Sequence, residues 1–307
     1  MAELQQEIEQ IVAADEKRRG VEWSVLVTDP EQTAVTINKS RVHDSCSLAK
    51  LAIIHAVELK GPNLDETTKL TQGDKRPGDG FLYNFPIGYD IKLRDAARIM
   101  LSESDNTAAR IVVRALGGPV AVNNILSSSP LDLHLTRLTP SRGDTYRYGV
   151  TVAGEIARLM RHLTQKIDDE APVIDLARNA LHRSSRWYGL RRDIDKINGA
   201  DEPLRHWRKL LRAAHHLATP LHERLLPPQH SVYGRLVDSE WTYAASAVKD
   251  GSSDDSRHEA GQIGQFIVVA MSQGNQEQPY GRRHSSNEVF AKIGKLVRDA
   301  GKLDPTQ

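Results

Sequence analysis

In Val21-Glu-Trp-Ser-Val-Leu-Val-Thr28 the apolar side chains Val21, Trp23, Val25 and Val27 occupy every second position, the period of a half-buried β-strand. Asp29-Pro30-Glu31 supplies turn chemistry and Ala34-Val-Thr-Ile37 resumes the extended pattern, so the segment predicts a β-hairpin. Before it the period changes: Leu4, Ile8, Ile11 and Val12 predict an amphipathic helix over residues 3–17. After it, helical patterns dominate from Ser47 to around residue 225, most clearly over Ser47–Leu59, Lys92–Leu101 and Thr107–Leu116. Extended signals return in Thr242–Val248 and Gln265–Met271, ahead of a last helix introduced by Ser285-x-x-Glu288, the spacing of a capping box. Strands at both chain ends around a helical middle predict an α+β fold: one antiparallel sheet built from both ends, terminal helices upon it, and an inserted all-helical lobe. The expected division is a single domain over residues 1–307, with an α/β lobe of 1–46 and 241–307 and a helical lobe of 47–240. A crevice between two such lobes is the natural place for a small-molecule site.

Composition narrows the function. The 41 Lys plus Arg nearly cancel the 40 Asp plus Glu, so no long-range field favours nucleic acid or an anionic membrane. A small-molecule or peptide-like substrate is the expected partner; the oligomeric state is not legible. The first residues carry no basic n-region, apolar h-region or cleavage site, and no segment is apolar enough to span a bilayer. With a lone cysteine, Cys46, the expectation is a cytoplasmic protein.

Ser47-Leu-Ala-Lys50 opens the first helix of the inserted lobe, and a spacing of three places both polar side chains on one face, one turn apart. A hydroxyl is a weak nucleophile until a base takes its proton, and a lysine serves only where burial or a nearby cation keeps it neutral. Alone, the pattern far more often describes a capping serine followed by a surface lysine. Two further elements change that balance. Ser104-Asp105-Asn106 follows Leu93-Arg-Asp-Ala-Ala-Arg-Ile-Met-Leu-Ser-Glu103 and leads into Thr107-Ala-Ala109, and Lys249-Asp250-Gly251 is followed by Ser252-Ser-Asp-Asp-Ser-Arg-His-Glu-Ala-Gly261.

These three elements, in this order and with these flanks, resemble the S-x-x-K, S-D-N and K-T-G motifs of class A β-lactamases and penicillin-binding proteins. The resemblance covers residues 1–164 and 240–301 and implies a β-lactamase/transpeptidase-like fold. It implies roles residue by residue. Ser47 attacks the acyl carbon, Lys50 accepts its proton, Ser104 relays a proton to the leaving nitrogen, and Lys249 raises the local positive potential. Asn106, residue 250, Ser252 and Arg257 fall at substrate-binding positions, and the backbone N–H groups of Ser47 and Ser252 form the oxyanion hole.

Three departures modify that expectation. The loop Thr136–Val150 holds no glutamate to activate water for deacylation; Asp144 is its one carboxylate, and Glu155 belongs to the following helix. Asp250 stands where the family has a hydroxyl that greets a substrate carboxylate. It either disfavours that carboxylate, and could pair with an amine or guanidinium, or simply pairs with Lys249 or Arg257. Third, about 165–240 is longer than the family needs and is rich in His and Arg, including His182, His206, His215, His216, His222 and His230. Their spacing matches no metal-ligand pattern, so neither metal nor cofactor is expected, and a solvated helical face is the ordinary reading. Cys46 is off the S-x-x-K frame and His258 reads as a strand support. The expectation is a serine hydrolase or acyltransferase that forms an acyl-enzyme on Ser47 and is a poor β-lactamase; a class A-type β-lactamase and a catalytically silent binding protein are the alternatives.

Overall fold

The alternating apolar residues of 21–28 form strand β1 (Glu22–Thr28), which pairs antiparallel with β2 (Thr33–Ile37); it is buried on both faces from Trp23 to Val27 rather than half-buried, because helices cover each side of the sheet. The structure, a computed structural model, describes residues 1–30, 33–140, 146–165, 172–184, 190, 246–277 and 284–301. Three strands from the C-terminal part, β3 (Ser246–Ser252), β4 (Arg257–Ile263) and β5 (Phe266–Gln273), complete a five-stranded sheet in the order β2-β1-β5-β4-β3. Every neighbouring pair is antiparallel, and β5 bonds to β1, so the two chain ends meet at the centre of the sheet.

Period-two alternation divides the sheet between two apolar cores. Trp23, Val25 and Val27 of β1, with Phe266, Val268 and Ala270 of β5, meet the terminal helices α1 (Ala2–Arg19) and α8 (Ser286–Ala300). Leu26, Ile267, Val269 and Met271 point the other way, into the helical lobe. Trp23 is fully buried, its ring 5.3 Å edge-on to Phe290 of α8, and its indole N–H donates to Asp15 of α1 at 3.0 Å. That carboxylate is buried; burial pushes its pKa up, but bonds from Arg19 and Arg18 outweigh this and hold it below the usual range.

Between the chain ends run α2 (Ala49–Lys60), α3 (Leu93–Ser102), α4 (Asn106–Ala115), α5 (Pro119–Ser127), α6 (Ala153–Thr164) and α7 (Pro172–His182). Helix α2 is the axis of this lobe: Ala49 through Val57 are all buried, as expected of a helix apolar on all sides.

The structure corrects one detail and adds one. Ser285 precedes α8 but makes no capping box; its hydroxyl donates to Glu277 at 2.7 Å instead. The extended signal at Thr242–Val248 corresponds to β3, which begins at Ser246; residues 242–245 lie outside the described residues. Strand β4 carries no apolar alternation, because Arg257, His258 and Glu259 are buried polar residues. Of the His/Arg-rich segment, only α7 with its flanking residues and Leu190 are described, so His206, His215, His216, His222 and His230 fall outside. No helix among the described residues is long and apolar enough to cross a membrane.

Candidate active site

Ser47 sits in a one-turn 3₁₀ helix, Cys46–Leu48, that leads directly into α2. Cys46 takes a left-handed backbone conformation, φ 46°, unusual for a residue with a side chain. Strained geometry of this kind is concentrated at working sites. Ser45, just before it, donates both its N–H and its hydroxyl to Gly149 O, at 2.8 and 2.9 Å. This ties the nucleophile turn to the loop that precedes α6. Cys46 itself is buried, which pushes its thiol up to about 12, so it remains a protonated packing residue.

Lys50 is fully buried one turn beyond Ser47, and its amine lies 2.9 Å from Ser47 Oγ. It also reaches Ser104 O, Asn106 Oδ1 at 2.8 Å and Ser104 Oγ at 3.2 Å. Burial, and then the charge of Lys249, hold its pKa well below the ordinary lysine value, against Asp79, Asp250 and Asp105. A neutral amine has two N–H groups and one lone pair. The two carbonyl oxygens, Ser104 O and Asn106 Oδ1, can only accept, so they take the two N–H groups. The lone pair is left for the hydroxyl proton of Ser47, the arrangement a general base requires.

The Ser104-Asp105-Asn106 turn joins α3 to α4 in three residues, and Ser104 makes the reversal in the left-handed region, φ 56°. Asp105 is the structural member of the triplet. One carboxylate oxygen caps α4 through Ala108 N at 2.8 Å, and the other accepts from Phe81 N and Leu82 N at 2.6 and 2.8 Å. This draws the Pro77–Leu82 segment over the site so closely that a Cβ on Gly80, φ +97°, would fall 2.2 Å from the Asp105 carboxylate. Asn106 places Oδ1 toward Lys50 and donates through Nδ2 to Pro77 O at 3.3 Å.

From the sheet, β3 supplies the third element. Lys249 is fully buried and donates to Ser104 Oγ at 2.9 Å, so the Ser104 hydroxyl bridges the two lysines. Lys249 also contacts the Asp250 carboxylate at 3.1 Å and Asp250 O at 2.8 Å. Of the two readings of Asp250, pairing with Lys249 is therefore present, and the carboxylate remains near enough to Lys50 to act on its charge. Gly251 lets this edge strand approach the nucleophile turn: a Cβ there would meet Ser47 N and Leu48 N at 3.1 Å. Ser252 follows at the exposed end of β3. Arg257 is buried and bonds to Ser253 O and Ser256 O, holding the turn from β3 into β4. His258 supports the sheet as expected, donating to Asp44 O at 2.7 Å.

In the described part of the loop before α6 and in the helix that follows, the polar side chains serve the fold rather than replace the family's glutamate. Glu155 is buried and accepts from the backbone of His134, Leu135 and Thr136 and from the Thr136 hydroxyl, so its lone pairs hold the entry to the loop. Burial pushes its pKa up, and these bonds outweigh it and bring it down. Asp144 lies outside the described residues. Tyr148, which the sequence pattern does not single out, faces the site: its hydroxyl donates to Asn106 Oδ1 at 3.2 Å and its ring centroid is 5.3 Å from the Lys50 amine. Burial raises its phenol well above the ordinary value, so it is a neutral donor and no base. The only sequence signal for it was its place in the loop.

Solved structures share the architecture across nearly the whole chain. PBP-A superimposes with a TM-score of 0.69 at 17% identity, covering 98% of this chain and 97% of its own. The β-lactamase of Sphaerobacter thermophilus DSM 20745 gives 0.69 at 18%, covering 97% of each chain, and the ancestral class A β-lactamase GNCA gives 0.65 at 19%, covering 97% of this chain and 99% of its own. At such identities the likeness is one of fold. No curated protein matches the sequence. The site geometry and the fold agree with a match of residues 3–198 to the beta-lactamase enzyme family, and the chain belongs to that family of serine hydrolases.

Proposed function

We propose that the chain is a serine hydrolase or acyltransferase that forms an ester on Ser47 from an amide, lactam or ester substrate, and that it is a poor β-lactamase. The observation that carries this reading is the Lys50 amine, buried, 2.9 Å from Ser47 Oγ, and with its N–H groups committed to two carbonyl oxygens. In this reading Ser47 Oγ attacks the acyl carbon as its proton passes to Lys50 Nζ. The N–H groups of Ser47 and Ser252 stabilise the oxyanion, and Asn106 orients a substrate amide. Collapse breaks the acyl bond, and Ser104, bridging Lys50 and Lys249, delivers the proton to the departing nitrogen or oxygen. Among the described residues of the loop before α6, none supplies a carboxylate base for release of the acyl group, since Glu155 is spent on the backbone and Tyr148 is a neutral phenol. The ester is hydrolysed slowly or passes to another nucleophile.

Asp250 narrows the substrate class. Paired with Lys249, it offsets part of the attraction that lysine would offer a substrate carboxylate and repels the carboxylate directly. The reading favours a small or peptide-like substrate without an anionic group there, and one bearing an amine or guanidinium fits best. A class A-type β-lactamase is the second reading, favoured by the fold shared with an ancestral class A β-lactamase. A silent binding protein is a weaker third, since it has no physical use for two buried lysines around one serine.

Intact-protein mass spectrometry after exposure to serine-directed acylating probes and benzylpenicillin separates the three. The expected result is a probe adduct lost in Ser47→Ala and kept in Cys46→Ala, with penicillin giving no adduct or a long-lived one. Rapid multiple turnover of benzylpenicillin would establish the second reading, and complete absence of adducts the third.

A further inference from the structure

At the far end of α2 from Ser47, and unused by the proposed reaction, His55 and Glu58 lie one turn apart and meet His162 of α6. His55 Nδ1 is 2.8 Å from Glu58 Oε2, and His162 Nε2 is 2.9 and 2.7 Å from the two carboxylate oxygens. One ligand atom from each residue falls within 4.8 Å of the others. We propose that these three side chains form a divalent-metal site of the zinc class, with His55 Nδ1, the Glu58 carboxylate and His162 Nε2 as protein ligands and water completing the shell.

Three observations support it. Two imidazoles and a carboxylate are a donor set that suits zinc and its neighbours rather than magnesium or calcium. Exposure is graded: His55 is 1% exposed, Glu58 18% and His162 24%, so one ligand is fixed in the core while the others admit an ion and a water from solvent. The far nitrogen of His55 is also fixed, for Nε2 lies 2.8 Å from Ser129 Oγ, a hydroxyl that already accepts from Leu131 N at 3.1 Å. With metal on Nδ1, the proton sits on Nε2 and donates to Ser129, the orientation that holds a ligating histidine in place.

Without metal, the same contacts are bridged by imidazole N–H protons pointing at Glu58. Metal entry moves the His55 proton to Nε2 and displaces the His162 Nε2 proton to Nδ1 or to solvent, forming coordinate bonds of about 2.0–2.2 Å. Ligand atoms about 3.3 Å apart satisfy tetrahedral geometry at those lengths, so the present contacts need open by only about half an ångström. Such an ion would fasten the helix that carries Ser47 to α6, whose Glu155 anchors the loop bearing Tyr148, and through Ser129 to the end of α5.

The test uses the full chain, stripped with a chelator, then titrated with Zn²⁺ while melting is followed, and with Co²⁺ while its visible absorption is followed. Wild type is expected to develop the bands of low-coordinate Co²⁺ and to take up one more equivalent of Zn²⁺ than Glu58→Gln or His162→Ala, with folding of each variant checked by circular dichroism. Ser129→Ala, which keeps all three ligands, should weaken binding by about 10- to 100-fold. Subtracting the variants removes any metal held by histidines elsewhere in the chain. Wild type without Co²⁺ bands, or equal Zn²⁺ uptake and affinity in wild type and the folded variants, overturns the proposal and leaves a hydrogen-bonded triad.

Discussion

The two ends of α2 solve opposite problems with the same spacing. At the N-terminal end, Ser47 and Lys50 stand three residues apart, and among the described residues the buried amine has no carboxylate within hydrogen-bond reach; its partners are two hydroxyls and two carbonyl oxygens. At the C-terminal end, His55 and Glu58 also stand three apart, and there the base meets a carboxylate directly at 2.8 Å. A base denied a counter-ion surrenders its proton, whereas a base beside a carboxylate keeps a proton or exchanges it for a metal. The difference lies in what the surroundings bring: the turn from α3 into α4 offers Ser104 and Asn106 to Lys50, while α6 offers a second imidazole to Glu58.

The sharpest way to break this contrast is at Lys50. Lys50→Ala should slow acylation of Ser47 by about 100- to 10,000-fold, the usual worth of general-base assistance. Lys50→Arg should not rescue it, because a guanidinium stays protonated. In wild type the acylation rate should fall as pH drops through a titration well below the ordinary lysine value, as the amine gains its proton. Removing the like charge in Lys249→Met should move that limb to higher pH. A limb at unchanged pH in stopped-flow acylation of the folded variant would show that Lys249 does not tune Lys50.

Behind the nucleophile turn lies a further pair of buried bases. His43 and His258 are buried with ring centroids 5.6 Å apart. Burial, with the charges of Arg41 on His43 and of His43 on His258, lowers them to about 4 and about 3. In the unfolded chain both titrate near 6.5, so between pH 6.5 and 4 the unfolded state binds more protons and folding stability falls as pH falls. His258 should contribute on the order of 3 kcal/mol across that window, and His43 less. Denaturant melts of wild type and His258→Gln check this: the variant should show the shallower loss toward pH 4, and parallel curves would mean that His258 is charged when folded.

What the sequence made legible follows from how local each signal is. The hairpin, α1 and the helices around Ser47 and Ser104 announced themselves through periodicity, and Ser47, Lys50, Ser104, Asn106 and Lys249 through short motifs whose members the fold then brought together. Strand β4 was silent because its buried side chains are Arg257, His258 and Glu259, whose burial depends on partners such as Asp44 O that no pattern reveals. Tyr148 was silent for a related reason: its contacts are to residues 42 and 98 positions earlier. His55-x-x-Glu58 is as regular as Ser47-x-x-Lys50, but without His162, 104 residues beyond Glu58, it reads as an ordinary helix-surface pair.

A smaller effect is expected at Asp250, which sharpens the contrast by changing the carboxylate nearest the lysine cluster. Asp250→Thr removes a charge paired with Lys249 and restores a hydroxyl that can donate to a substrate carboxylate. The full like-charge cost at about 4 Å and an effective dielectric of 20 is on the order of 4 kcal/mol, but the pairing with Lys249 already offsets much of it. Acylation by carboxylate-bearing β-lactams should therefore rise on the order of tenfold, and an amine-bearing ester should react more slowly. Equal rates in wild type and variant would mean that Asp250 serves Lys249 alone.

The smallest effect is expected at Tyr148, and its two substitutions separate two roles. Tyr148→Phe keeps the ring 5.3 Å from the Lys50 amine and deletes only the hydroxyl that donates to Asn106 Oδ1 at 3.2 Å. A neutral hydrogen bond is worth about 1 kcal/mol net, and Asn106 keeps its bond from Lys50, so acylation should slow no more than about fivefold. Tyr148→Ala also opens a path for water to Lys50. Hydration weakens the burial that keeps the amine neutral, so the pH limb for acylation should move upward in Tyr148→Ala and stay in place in Tyr148→Phe. If water rather than a missing base limits release, the acyl-enzyme of Tyr148→Ala should also decay faster. An upward shift in the Phe variant as well would transfer the role from the ring to the hydroxyl, making the contact with Asn106, and not the exclusion of water, what keeps this end of α2 unlike the other.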